Sequence, residues 1–170
     1  MRRVTSNYKI FGGFGLFILL NGLIGIGTFK LLTTLDIVDL MTNANTQKVY
    51  AFVIGLQLFF LYLFSTQNRF IIADSDGITF VNPILPFLRS TYRWTDFDYY
   101  VMVDESSQHS THEAVWLIKG KRLKARFSSF YYSNYDDLID QVKTTSKGDK
   151  YFGPFDQLFI LMGLKGVKDK

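Results

Sequence analysis

The 170-residue chain contains no cysteine, which excludes a disulfide framework, an iron–sulfur cluster, a thiolate zinc site and a cysteine nucleophile. Proline is scarce at three residues, and aromatic residues make up 17%, so the composition is that of a folded chain rather than a linker or disordered tail. No long-period internal repeat occurs, which removes solenoid and propeller architectures. Catalytic motifs are missing too. There is no GxSxG and no phosphate-binding loop, and Ser128 and Ser129 have no histidine with an orienting carboxylate near them in sequence. With no general acid, nucleophile or metal constellation in view, the expectation is a non-enzymatic protein that needs no cofactor.

Charge is absent from two long stretches. Ile10 to Phe29, between Lys9 and Lys30, has only Asn21 and Thr28 as clearly polar side chains; Val49 to Asn68, between Lys48 and Arg69, has Val49 to Phe64 as its apolar heart. At 1.5 Å per residue each run matches a hydrocarbon core of about 30 Å. The pattern predicts two transmembrane helices, over roughly residues 10–32 and 48–66, forming an anchor of residues 1–68. Arg2, Arg3, Lys9 and Arg69 flank the outer ends, against Lys30 and Lys48 at the connection, which places both termini in the cytoplasm. The small-x-small triplet Gly25-Ile26-Gly27 admits an alternative, in which the first run is a cleaved signal sequence and the second a stop-transfer segment. Neither run contains Asp, Glu, Lys, Arg or His, which argues against a transporter or redox carrier built from this chain alone. Asn21 and Gln57, each near the centre of its run, form a candidate intramembrane packing pair. Glycines at positions 12, 13, 15, 22, 25 and 27 give the first helix a small-residue surface for packing within the hairpin or for a dimer face.

After Arg69 the apolar period changes. RFIIA and ITFV flank Asp74-Ser75-Asp76-Gly77, which reads as a hairpin whose Gly77 supplies a positive φ. Pro83 and Pro86 in NPILPFL then interrupt pairing. Alternation resumes in FDYYVMVDE and EAVWLIK, and in RLKARF it places Leu123, Ala125 and Phe127 on a core face against Arg122, Lys124 and Arg126 on a solvent face. Ser133 with Asp136 and Asp137 signals a helix start, and Tyr135, Leu138, Ile139 and Val142 supply its apolar stripe. The fold class expected is an α+β membrane protein: a helical hairpin, an antiparallel meander of about six strands, and a closing helix.

The segments DGI (76–78), TYRWTDF (91–97), AVWLIK (114–119) and FSSFYYSNYDDLIDQV (127–142) resemble the bacterial pleckstrin-homology-like domains that follow two transmembrane helices in small membrane proteins. The resemblance covers residues 69–143 and implies a curved antiparallel barrel plugged by its C-terminal helix, with Trp94 and Asp96 as structural turn residues and Tyr135, Leu138, Ile139 and Val142 facing the barrel. It implies no catalytic residues, and it points to a bacterial inner membrane.

The densest charge feature is the hairpin KGKRLKAR, where Lys119, Lys121, Arg122, Lys124 and Arg126 form a candidate contact for anionic lipid headgroups or a protein partner, beside the plainer reading of a solvated strand face. His109 and His112 form H-x-x-H in a polar segment that reads as a flexible loop, so no metal is expected there. Trp94 and Trp116 read as barrel core. In the basic tail, residues 144–170, Gly153-Pro154 opens a short amphipathic helix that either lies on lipid or docks on the barrel. Before Arg69 the chain carries five basic and two acidic residues, and from Arg69 onward fourteen and thirteen, so the net charge of +4 is mostly anchor flank and does not call for nucleic acid. Function is accordingly expected to be non-catalytic: a binding module held at the cytoplasmic membrane face for a membrane or cytoplasmic protein partner or a lipid surface. The alternative is an accessory subunit of a transport or envelope-modifying complex.

Overall fold

The computed structural model describes residues 3–34, 42–107 and 110–167. Arg2, His109, Lys168 and Lys170 fall outside them. Two helices, α1 (Gly13–Thr34) and α2 (Ala44–Gln67), form an antiparallel hairpin. Both are long and apolar enough to cross a membrane, and the protein buries 0% and 6% of their most apolar windows. A core helix of a soluble domain would be covered by its own chain; these two leave their apolar side chains bare, as helices solvated by lipid do.

The face between the helices is set by a seven-residue spacing on α2, from Tyr50 through Gln57 to Phe64. The Tyr50 hydroxyl donates to the Leu31 carbonyl at 3.0 Å, Gln57 Nε2 donates to Asn21 Oδ1 at 3.2 Å, and the Phe64 ring lies 5.8 Å from Phe14 and 6.3 Å from Phe17. Asn43 caps α2, its Oδ1 accepting from the backbone of Asn45 at 3.0 Å and Thr46 at 3.5 Å. Of the glycine surface, Gly22, Gly25 and Gly27 do not pack within the hairpin: a Cβ added at any of them would meet nothing within 4 Å.

Among the described residues eight strands form two four-stranded sheets. The first is antiparallel, in the order β1 (Val4–Thr5), β2 (Phe70–Ala73), β3 (Gly77–Val81) and β4 (Arg89–Arg93). A 3₁₀ turn at Trp94–Asp96 leads into the second, where β5 (Tyr99–Ser107), β6 (Ser110–Lys119) and β7 (Arg122–Ser128) are antiparallel. A short helix α3 (Tyr135–Ile139) follows. Strand β8 (Ser146–Lys150) then pairs parallel to β5, and α4 (Pro154–Leu161) is the last helix among the described residues. The second sheet is therefore mixed rather than antiparallel. The strands make two separate sheets, and no hydrogen-bonded ladder closes them into a barrel among the described residues.

Each face of the second sheet covers a different core. Val115, Leu117, Ala125 and Phe127 join Ile71, Ile78, Phe80, Trp94 and Phe97 in an inner core, against which Tyr135 and Leu138 of α3 pack. Tyr99, Val101, Val103, Ala114, Trp116 and Ile118 form an outer core closed by Ile160 of α4 and by Val167. Trp116 stacks on Phe152 with ring centroids 5.3 Å apart. The tail thus docks on the sheet, and the two tryptophans belong to different cores. A register shift between Leu117 and Ile118 puts Leu123 with the outer cluster while Ala125 and Phe127 face inward, so the strict alternation of RLKARF is broken by a bulge.

Two local expectations are also corrected. Gly77 does not adopt a positive φ; it is required because a Cβ there would fall 2.1 Å from the Tyr92 carbonyl oxygen across the β3–β4 pair. Ser133 does not cap α3. The N-cap is Asn134, and its side chain serves the N-terminal arm instead, accepting from the Asn7 backbone at 2.7 Å and donating to the Thr5 carbonyl at 2.8 Å.

Candidate functional site

The helical hairpin and the β domain meet at a joint made by both ends of the hairpin. Strand β1 precedes α1 yet pairs with β2, which follows α2: Val4 lies opposite Ala73 and Thr5 opposite Ile72. Ser6 extends the pairing, exchanging hydrogen bonds of 2.8 Å with Ile71 through its backbone N–H and its hydroxyl. Tyr8 stacks on Phe14 with centroids 4.2 Å apart, and its hydroxyl donates to the Asn68 carbonyl at 2.8 Å. Burial pushes the Tyr8 hydroxyl up to about 12. Tyr132 lies against Tyr8 and donates to the Arg69 carbonyl; burial first, and then the neighbouring Tyr8, raises its pKa as well. The arm enters α1 through Gly12 and Gly13, where a Cβ would fall 2.3 Å from the Phe130 carbonyl oxygen and from the Tyr131 ring respectively. Only glycine lets the β7–α3 turn approach the helix this closely.

Arg126 is the polar centre of the joint. One guanidinium nitrogen donates to Glu105 Oε1 of β5, and another to Gln67 Oε1 at the end of α2. The same carboxylate oxygen accepts from Trp116 Nε1 at 3.2 Å, and the guanidinium carbon sits 6.0 Å from the Tyr131 ring centroid. Burial opposes the Arg126 charge, but the Glu105 carboxylate overcomes this and holds its pKa above the ordinary value. Burial raises the Tyr131 hydroxyl against the opposing pull of Arg126. Arg126 thus ties the helical hairpin to the β domain, where its place in the alternation suggests one of a row of solvated cations.

The other four basic candidates remain exposed. Lys119 and Arg122 pair across the Gly120-Lys121 turn, whose residues have φ of 57° and 62°, and Lys124 follows on β7. The turn is fixed by Asp98 Oδ2, which accepts from the Gly120 N–H at 2.7 Å, and by the Val167 N–H, which donates to the Lys121 carbonyl at 2.7 Å. Lys119, Lys121 and Arg122 thus sit on a rigid end of the second sheet, apart from the Arg126 cluster. The Asn21–Gln57 pair lies inside the hairpin and touches neither. His112 lies beside Phe130, ring centroids 4.8 Å apart.

Two apolar surfaces flank the exit of α2, and only one was foreshadowed by the sequence. The loop after β3 begins beside Phe70, the partner of Val81, and exposes Ile84, Leu85, Phe87 and Leu88. Asn82 Oδ1 shapes it, accepting from Ile84 at 2.9 Å and Leu85 at 3.0 Å. The prolines signalled a break in pairing but not an exposed greasy tip. The second surface is the free side of α4, where Phe155, Leu158, Phe159 and Met162 are exposed while Ile160 is buried.

Comparison with protein-family models, with curated proteins and with solved structures finds no match for this chain.

Proposed function

We propose that this chain is an integral membrane protein that presents a pleckstrin-homology-like, non-catalytic binding module at the cytoplasmic face of a bacterial inner membrane, where it contacts a protein partner or the lipid surface. The observation that carries the reading is the pairing of β1 with β2 across the whole hairpin. A domain stitched to both ends of a membrane hairpin is held at one face of the bilayer, and its position is fixed rather than tethered. The run of a first sheet, a Trp94–Asp96 turn, a second sheet and a helix on the inner core supports the pleckstrin-homology-like assignment. The exposed loop tip and the free side of α4 support a surface that works against lipid or protein.

The absence of cysteine makes the topology directly testable. In single-cysteine variants Lys121→Cys and Thr42→Cys, a membrane-impermeant maleimide should label position 121 only from the cytoplasmic side and position 42 only from the other. Labelling of both from one side would end the hairpin reading. Crosslinking and mass spectrometry of the tagged protein in native membranes then addresses the partner. The accessory-subunit reading is favoured by one observation, the open Gly22, Gly25 and Gly27 surface of α1. Stoichiometric recovery with a multi-span protein crosslinked to that surface would select it; recovery with a cytoplasmic protein crosslinked to the β domain would select the binding module.

A further inference from the structure

Between α2, α4 and β7 lies an open cleft of about 800 Å³, within the roughly 300–1,000 Å³ typical of small-molecule sites. Its α2 wall runs from Gln67 back through Leu63 and Tyr62 to Phe59, some 12 Å along the helix axis and into the apolar heart of the second span. These side chains do not face α1, whose partners are Tyr50, Gln57 and Phe64. The opposite wall is the free side of α4, with Leu158, Leu161 and Met162. Both walls are apolar, and one continues directly into the exposed apolar surface of α2.

The rest of the lining, with Thr66, Phe80, Leu123, Ala125 and Tyr131, also carries three cations. Arg69 and Lys124 both line the cleft, and neither has a carboxylate partner among the described residues. Arg126 is also there, with its guanidinium already committed to Glu105 and Gln67. Apolar walls open to the hydrocarbon, with two uncompensated cations beside them, match one chemistry: a phospholipid whose head carries net negative charge. Free phosphate would satisfy the cations but leave the walls bare, and a zwitterionic head would bring a cation of its own towards Arg69 and Lys124.

We propose that this cleft seats one anionic phospholipid of the surrounding bilayer, its acyl chains between α2 and α4 and its headgroup phosphate at Arg69 and Lys124. The site is distinct from the exposed Lys119–Arg122 turn. The proposal rests on the membrane-spanning reading of α1 and α2, and adds to it a specific ligand. It also gives the tail a role: α4 docks on the outer core through Ile160 so that its other side forms a lipid wall.

The test uses the full-length protein in phosphatidylcholine nanodiscs containing a trace of phospholipid with a photoactivatable diazirine in its acyl chain, carrying either a phosphatidylglycerol or a phosphatidylcholine head. Crosslinked peptides are mapped by mass spectrometry. Labelling at residues 59–66 and 158–162 should favour the phosphatidylglycerol probe by about tenfold, equivalent to about 1.4 kcal/mol. Labelling near Leu23 and Ile54, exposed at mid-span, should show no preference. In Arg69→Gln/Lys124→Gln the preference should fall to near one with mid-span labelling intact, while Lys119→Gln/Lys121→Gln, with the same charge loss outside the cleft, should keep it. Equal labelling of the cleft by both probes, or mid-span labelling without cleft labelling, overturns the lipid site and leaves the anchor standing. Loss of mid-span labelling in the unmodified protein overturns the anchor and the site together. Should the Arg69/Lys124 variant fail to insert, the two-probe ratio on the unmodified protein decides alone.

Discussion

The hydroxyl of Tyr8, before the first helix, donates a 2.8 Å hydrogen bond to the carbonyl of Asn68, the residue that ends the second. The two lie sixty positions apart in the chain, and the bond closes that loop at its base. Removing only the hydroxyl, as in Tyr8→Phe, should cost about 1 kcal/mol, the net worth of one hydrogen bond, because the ring can keep its stack on Phe14. Tyr8→Ala also loses the aromatic contacts and should cost about 3 kcal/mol. Unfolding in mixed micelles measures both, and an alanine variant as stable as the parent would refute a closed joint.

The Arg126 cluster predicts a non-additive pair. Arg126→Met leaves the partly buried Glu105 carboxylate, its side chain 17% exposed, with Trp116 as its direct donor, and should destabilise by about 3 kcal/mol, the lower end of the cost of breaking a buried ion pair. Adding Glu105→Gln removes the orphaned charge, so the double variant should recover at least half of that loss. A double variant as damaged as the sum of the singles would show that the two side chains act separately.

Alkaline pH should act through the same joint. Tyr8 is raised to about 12, and Tyr131, Tyr132 and Tyr135 are raised as well, burial leading in each case. A tyrosine ionises near 10 in the unfolded chain, so stability is unaffected below that pH. Above pH 10 the unfolded state sheds protons that the folded state retains, and stability falls as pH rises through the folded-state value. Ultraviolet titration of tyrosinate should show Tyr8, Tyr131, Tyr132 and Tyr135 ionising at higher pH in the native protein than after denaturation. The phenylalanine variant of Tyr8 should remove one late-ionising group; a native titration curve that coincides with that of the denatured protein contradicts the packing.

Within the hairpin, a double-mutant cycle of Asn21→Leu and Gln57→Leu should give a coupling energy of about 0.6 kcal/mol, the mean for interhelical hydrogen bonds in a bilayer. Gln57→Leu alone should be close to neutral, because the Gln57 Oε1 is buried without a partner and its loss offsets the lost bond. Strict additivity would mean that the bond contributes nothing.

The tail prediction concerns Ile160, which is 2% exposed beneath the outer core. Ile160→Ala should cost about 2–4 kcal/mol of tail docking and release residues 151–167 to protease before the rest of the domain unfolds. Trp116 fluorescence should shift to the red as its cover lifts, and a tail that stays resistant would show that Ile160 does not hold it.

The sequence by itself determined the two uncharged helices, long and apolar enough to cross a membrane, and the strands whose apolar residues alternate, because one sheet face must be buried. It also placed Asn21 and Gln57 at one depth, by counting residues alone. What it could not determine lies in backbone pairing and in register. Strand β1 is two residues long and β8 is SKGDK with no apolar pattern, so neither carries a signal; each exists because a neighbouring edge, β2 or β5, offers unpaired backbone groups. The face on which Leu123 lies was decided by one bulge, which no local pattern encodes. Arg126 has the look of a surface cation, since alternation assigns a face without saying what stands on it. Only the fold brings Gln67, Glu105 and Tyr131 to that face, turning one of five similar basic residues into a bond between helical hairpin and β domain.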